Sequence, residues 1–208
     1  ETLEAHGQAL RVGEPNIRLP AAFWRYTAFT AVTTLGFAPF ALLSYHLEAQ
    51  HLVPAATIPL LYALAMGVDG LIALIAGWGY DRFGLVTLAA VPVFAALGGV
   101  AALQTRVMPV VLGVIAWGIA MGLVETTMRA AVGDLSPREV RGFAYGLFNT
   151  VFGAAWLGGG VGLGFLYERV GPHGTALGIV AIQVVSLLCF FGLGVVQAHR
   201  AYRSDSRV

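Results

Sequence analysis

Six long apolar runs, separated by short linkers, constrain the fold of this chain more than any other feature. They cover about residues 22–46 (span one), 54–79 (span two), 84–104 (span three), 107–131 (span four), 141–166 (span five) and 174–198 (span six). A helix needs about 20 residues to cross the hydrocarbon core of a bilayer, and every run is long enough. A soluble bundle of six buried helices is the alternative, but these runs are apolar on all faces. The sequence therefore predicts an all-α integral membrane protein with six transmembrane helices.

The composition agrees with lipid as the solvent. Hydrophobic residues make up 58% of the chain and charged residues only 11%, with a mean hydropathy of +0.77. A soluble domain has about 25% charged residues. The single cysteine, Cys189, lies within an apolar run, which excludes an intrachain disulfide and a cysteine metal cluster.

The arginines indicate the orientation in the membrane, because basic loops stay in the cytoplasm. All twelve basic residues are arginines. With the N-terminal arm in the cytoplasm, ten fall on that side and two, Arg106 and Arg169, fall outside. The ten are Arg11, Arg18, Arg25, Arg82, Arg129, Arg138, Arg141, Arg200, Arg203 and Arg207. We therefore expect a multi-pass protein of the cell (inner or plasma) membrane with both termini cytoplasmic.

One charged turn occurs twice. Gly77-Trp78-Gly79-Tyr80-Asp81-Arg82-Phe83-Gly84 follows span two, and Gly164-Phe165-Leu166-Tyr167-Glu168-Arg169-Val170-Gly171 follows span five. Three spans separate the two turns, so they face opposite sides of the membrane and the two units are inverted. We predict two inverted three-helix repeats, about 21–105 and 106–199, within a six-span bundle (21–199). A cytoplasmic arm (1–20) and tail (200–208) flank it, and a chain that starts at Glu1 is expected to be a piece of a longer protein.

Two local patterns predict details of the helices. Glycines stand four apart at Gly118 and Gly122, the spacing that lets membrane helices pack closely; 142/146, 160/164 and 174/178 repeat it. Span five is preceded by Ser136-Pro137-Arg138-Glu139, which predicts a capping box with Ser136 as the cap.

The turn at 77–84 resembles the signature loop of major facilitator superfamily transporters, Gly-x-Leu-x-Asp-Arg-x-Gly followed by basic residues. The stretch 133–149 is similar to the loop between the tenth and eleventh spans of that family. Gly79 replaces the usual Leu, and Leu85-Val86 replace the basic pair. The resemblance implies half of a major facilitator fold, namely the C-terminal half of a twelve-span transporter whose N-terminal six-helix half is the expected partner.

The resemblance also implies a cytoplasmic gate, since the family's matching aspartate closes the inner side. Glu125 and Arg129 stand at i, i+4 and so share a helix face, from which we expect Arg129 to connect Glu125 with Asp81 or Asp134. Solvated turn charges and a static ion pair are the alternatives. The predicted gate residues are Gly77, Asp81, Arg82, Gly84, Glu125, Arg129, Asp134 and Arg141. We expect Gly77 and Gly84 to allow close helix approach and a tight reversal.

Asp69 is the sharpest candidate for solute or proton binding. It lies twelve residues before Asp81, which places it about 18 Å from that turn, near mid-membrane. An unpaired carboxyl group there can carry a proton, although a hydrogen bond to a neighbouring helix backbone is the alternative. Further candidates are Thr34, Tyr45, Trp117 and Asn149, for which helix packing is an equal alternative. Gly36 and Pro39 are expected to break span one and to free backbone carbonyls toward water or ligand.

The function predicted from these features is secondary active transport of a small organic solute by alternating access, coupled to H+, as a symporter or antiporter. A half-size transporter acting as a homodimer, and a transport-inactive scaffold or sensor of the same fold, are the alternatives. We expect no enzymatic activity, cofactor or nucleic-acid partner. His46 and His51, expected in the outer loop after span one, lack the partners of a metal site.

Overall fold

The structure is a computed structural model that describes residues 19–194. Residues 1–18 and 195–208 lie outside the described part, and with them the predicted tail (200–208) and nearly all of the predicted arm (1–20). The described chain is helical and has no strand. This confirms the all-α prediction.

Seven α-helices make up the bundle. They are α1 (Ala21–Leu35), α2 (Phe40–Ala49), α3 (Ile58–Phe83), α4 (Ala90–Ala102), α5 (Val107–Leu123), α6 (Arg129–Leu135) and α7 (Arg141–Gly192). Short 3-10 turns (Ala55–Thr57, Gly84–Ala89 and Arg138–Val140) and one π-helical turn (Val124–Met128) connect some of them.

These helices join into four continuous stretches that are long and apolar enough to cross a membrane. The stretches are Ala21–Ala49, Ala55–Ala102, Val107–Leu135 and Arg138–Gly192. The sequence predicted six, and the difference lies in the second and fourth stretches. These are 48 and 55 residues long, over twice the length that one crossing requires.

Each of these two long stretches contains one glycine with a left-handed φ. Gly84 has φ 63° and Gly171 has φ 71°, a region that L side chains rarely adopt. A Cβ added to Gly178 would lie 2.6 Å from Leu166 Cδ2, twelve residues earlier in the chain. In a straight helix, twelve residues would span roughly 18 Å, so the chain folds back beyond Gly171. Both copies of the repeated motif therefore end at a glycine with a positive φ.

The helix runs further into the first copy than the sequence predicted. Residues 77–83 form the last two turns of α3, and only Gly84 leaves the helix. Gly77 makes no close helix contact, since a Cβ there would meet Thr126 Cγ2 at 3.8 Å. The structure thus does not require a glycine at 77 for close approach, whereas Gly84 ends α3 with a positive φ. None of Tyr80, Asp81, Arg82 and Phe83 is a helix breaker, whereas Gly at the position after the end of a helix terminates it.

Close packing centres on α5, which lies against both α3 and α4. Gly118 and Gly122 face Ala65 and Asp69 on α3, and added Cβ atoms would lie 2.5 and 2.6 Å from those residues' backbone oxygens. This confirms the packing prediction for the pair. The glycines at 142 and 146 instead face open space.

The predicted capping box does not form. Ser136 Oγ donates backward to the carbonyl of Val132, 2.6 Å away, at the end of α6. Pro137 precedes a 3-10 turn, and α7 begins only after Val140, without a side-chain cap. Arg141 Nη2 donates to the Gly133 carbonyl at 3.0 Å, so a basic side chain satisfies the C-terminal end of α6.

Candidate functional site

A cavity of about 450 Å³ lies between the end of α5 and α7. Its polar side chains are Glu125, Arg129 and Asn149. The remaining lining residues are Met121, Val124, Met128, Phe148, Phe152, Gly153, Trp156 and Leu157. The cavity thus combines one acid, one base and one amide with apolar and aromatic walls.

The π-helical turn Val124–Met128 forms one wall of this cavity. It separates α5 from α6 and carries Glu125, with Arg129 directly after it. Single π turns inside α-helices occur frequently at functional sites. Tyr145 on α7 donates a hydrogen bond of 2.9 Å to the Arg129 carbonyl, which ties the wall to α7. Both charged side chains line the cavity, so the i, i+4 spacing did place them on one face.

Asp69 adjoins this region through the crossing of α3 with α5. Gly122 packs against the backbone of Asp69, and Glu125 lies three residues further along the chain, in the π-helical turn. Asp69 Oδ1 is buried and has no hydrogen-bond partner among the described residues. The glycine contact therefore brings two carboxyl groups from different helices into one neighbourhood.

Span one is broken where the sequence predicted, between Leu35 and Phe40. The carbonyls freed there bond to protein side chains. Gln183 Nε2 donates to the Thr33 carbonyl at 3.0 Å, and Trp117 Nε1 donates to the Ala38 carbonyl at 2.8 Å. The break is thus held from both sides by other helices, instead of opening toward the cavity.

Three of the predicted solute-binding residues lie away from the cavity. Trp117 is 4% exposed and its ring packs against those of Phe37 and Phe40. Thr34 is buried in α1, and Tyr45 is 53% exposed with its ring edge against Tyr167. Of this group, only Asn149 lines the cavity.

The predicted gate residues fall into two places, since Glu125 and Arg129 line the cavity while the others lie near the ends of α3 and α6. Tyr80 Oη donates to Asp134 Oδ2 at 3.1 Å, so the residue that reaches Asp134 is Tyr80, whereas Arg129 lines the cavity. Asp81 is exposed. The Arg82 guanidinium lies over the Trp78 ring, with 5.8 Å between Cζ and the ring centroid. Trp78 and Arg82 share a helix face that points away from the Tyr80 side.

At the opposite end of the bundle, a histidine predicted to lie in a loop connects three parts of the chain. His46 lies in α2 and is fully buried. Its Nε2 is 3.0 Å from the Gln104 carbonyl and its Nδ1 is 2.7 Å from Tyr167 Oη. A carbonyl only accepts, so Nε2 carries a proton, and in the neutral ring Nδ1 accepts from the Tyr167 hydroxyl.

Sequence reasoning missed Tyr80, Gln183 and His46. The signal for Tyr80 was present, because Tyr recurs at 167 in the second copy of the motif and both hydroxyls bond to other helices. Gln183 and His46 are single polar residues in apolar runs, and nothing local indicates their partners. Among the described residues, no group of three or more His, Cys, Asp or Glu side chains is arranged to hold a metal ion.

Four helical stretches that are long and apolar enough to cross a bilayer indicate a membrane protein. The sequence model of the Major Facilitator Superfamily matches residues 8–160, so the chain belongs to that family, whose members are generally transporters of small solutes rather than enzymes.

Two similar proteins are "Uncharacterized protein Rv2265" of Mycobacterium tuberculosis and "Uncharacterized protein Mb2288" of Mycobacterium bovis. Each is 41% identical over 175 residues, which cover 84% of this chain. The chain spans 42% of the length of these curated relatives.

Proposed function

We propose that this chain is the C-terminal six-helix half of a secondary active transporter that moves a small organic solute by alternating access, coupled to H+. The cavity between α5 and α7 is the observation that carries the proposal. Charged side chains inside a membrane bundle are costly and mark substrate or ion pathways. Here Glu125 and Arg129 face a cavity together with Asn149.

Six crossings follow if each long stretch crosses the membrane twice, with the reversals at Gly84 and Gly171. The left-handed φ at both glycines supports this arrangement. The arginine distribution supports cytoplasmic termini and a cell-membrane location. The greater length of the mycobacterial relatives supports an N-terminal six-helix half as the partner.

In this proposal the solute binds between Glu125, Arg129 and Asn149, with the aromatic walls against its apolar part. An acid and a base in one cavity suit a solute that carries polar groups of either sign. Asp69 and Glu125 hold and pass the coupled proton, as chains of carboxyl groups do in other transporters. The unpartnered Oδ1 of Asp69 supports this role.

The inner gate in this proposal consists of the contacts around the end of α3. Asp81 lies there, Tyr80 on the same helix reaches Asp134, and Arg141 bonds to the carbonyl of Gly133, next to Asp134. Contacts made in one state and lost in the other are sufficient to bias a two-state equilibrium. The Tyr80–Asp134 hydrogen bond is one such contact.

The test is transport by the full-length protein in liposomes. A pH-sensitive dye inside reports proton movement while sugars, amino acids, organic acids and organic amines are added one class at a time under an imposed pH gradient. We expect one class to move protons through the wild-type protein, and Asp69→Asn to abolish that movement while retaining solute counterflow. Proton movement that persists at the wild-type rate in Asp69→Asn would remove Asp69 from the coupling path.

A further inference from the structure

A second space lies on the opposite side of α5 from the polar cavity. It is an apolar groove of about 450 Å³ between the second half of α3, the Gly84–Ala89 turn, α4 and α5. Thr87 is its one hydroxyl-bearing wall residue, and its Oγ1 donates to the Gly79 carbonyl at 3.2 Å. The walls therefore offer only apolar surface to an occupant.

The groove has a cationic and aromatic mouth. Trp78 and Phe83 line it, and both are more than half exposed. The Arg82 guanidinium lies over both rings, with Cζ 5.8 Å from the Trp78 centroid and 5.9 Å from the Phe83 centroid. The nearest carboxylate in sequence is Asp81, but adjacent residues of a helix point in different directions. The Arg82 charge therefore stays with the two rings at the end of the groove.

The length of the groove matches one leaflet. It extends along α3 from Ile72 to Phe83. Eleven residues of helix cover about 16 Å, and half of a hydrocarbon core is about 15 Å. An occupant that starts at Arg82 and follows the groove to Ile72 would reach the middle of the bilayer.

Gly79 contributes to the room in this groove. It is a lining residue, and it stands where the major facilitator signature usually has Leu. A Cβ at Gly79 would meet Thr87 Cγ2 at 3.7 Å, an ordinary contact, so the backbone tolerates a methyl group. The further atoms of a leucine side chain would occupy the groove itself.

We propose that this groove binds one acyl chain of an anionic phospholipid whose phosphate is held by Arg82. The apolar walls fit the chain, the length fits one leaflet, and the guanidinium at the mouth complements the headgroup charge. Exposed Trp and Phe beside an arginine are typical of the membrane interface. This proposal requires only that the chain lies in a membrane and is independent of the transported solute.

The first test compares groove variants of the full-length protein after incubation with equimolar phosphatidylglycerol and phosphatidylcholine. Native mass spectrometry counts the lipids that each variant retains. We expect Gly79→Leu to reduce retained lipid severalfold, and the matched Gly79→Ala to retain wild-type amounts. Arg82→Gln should retain lipid but lose its preference for phosphatidylglycerol, a change of roughly fivefold for one basic residue near a membrane surface.

A second test does not depend on a substitution that fills the groove. Brominated acyl chains quench nearby tryptophans, and subtraction of a Trp78→Phe protein isolates the Trp78 signal. We expect stronger quenching of wild-type Trp78 by brominated phosphatidylglycerol than by brominated phosphatidylcholine. Equal quenching by the two lipids would overturn the headgroup assignment.

Unchanged lipid retention in a folded Gly79→Leu protein would overturn the acyl-chain assignment. A change in oligomeric state with unchanged lipid retention would assign the groove to a second copy of the chain instead.

Discussion

Tyr80 and Tyr167 occupy the same place in two copies of one motif, and the hydroxyl of each bonds to a different helix. Tyr80 donates to Asp134 at 3.1 Å, and Tyr167 Oη lies 2.7 Å from His46 Nδ1. Each tyrosine stands four residues before a glycine with a left-handed φ. In both copies of the motif, a tyrosine four residues before the positive-φ glycine thus links that part of the chain to another helix.

Removal of the Tyr80 hydroxyl should weaken the tie between α3 and α6. We expect Tyr80→Phe to destabilise the protein by about 1 kcal/mol, because a part-buried hydrogen bond contributes about that much. The measurement is the thermal unfolding midpoint in detergent. Tyr62→Phe makes the same chemical change on the same helix at an exposed residue and should leave the midpoint unchanged. Equal midpoints for Tyr80→Phe and wild type would show that the bond carries no stability.

A methyl group at Gly122 should force α3 and α5 apart. The added Cβ would lie 2.6 Å from the Asp69 carbonyl oxygen, and a backbone atom there has nowhere to move without shifting the helix. We expect Gly122→Ala to cost about 1–3 kcal/mol through overpacking. The control is Gly146→Ala, which faces open space and should be neutral or stabilising because alanine favours helix. The same thermal assay compares them, and a stabilised Gly122→Ala would contradict the close crossing.

The break in span one should depend on Trp117. Trp117→Phe keeps an aromatic ring but leaves the buried Ala38 carbonyl without its donor. An unsatisfied buried acceptor costs about 1–3 kcal/mol. Trp24→Phe is the matched control, because Trp24 is half exposed. Hydrogen exchange of the backbone amides at 36–42 should speed up in Trp117→Phe alone, and an unchanged rate would show that other contacts hold the break.

The proposed solute site makes a prediction about two neighbours on α7. Asn149 lines the cavity, whereas the Thr150 hydroxyl is occupied by a 2.9 Å bond to the Gly146 carbonyl. Loss of one hydrogen bond to solute should raise the half-saturation concentration about fivefold to tenfold in Asn149→Ala. Thr150→Ala should transport as wild type. The reverse ranking in liposome uptake would move the solute to another face of α7.

Much of the architecture follows from local sequence. Runs of apolar residues predicted the helices, and the glycines at 84 and 171 lie where the two long stretches leave regular helical angles, because other residues rarely adopt a positive φ. The motif at 77–84 identified the family, which the match over residues 8–160 confirms. Of the candidate site, the placement of Glu125 and Arg129 on one cavity was predictable, because residues four apart in a helical stretch lie on the same side.

The remaining features depend on contacts between residues far apart in the chain. Whether Trp117 faces solute or caps the Ala38 carbonyl depends on how α5 meets span one, and no local pattern encodes that distance. Likewise, Tyr80 bonds to Asp134 on another helix, and nothing in the motif at 77–84 indicates that partner.

The sequence by itself therefore determined that the chain forms apolar helices suited to a membrane and where glycines interrupt them, because hydropathy and backbone strain are local quantities. Only the tertiary structure decided which polar groups bond to one another, because their partners come from other helices.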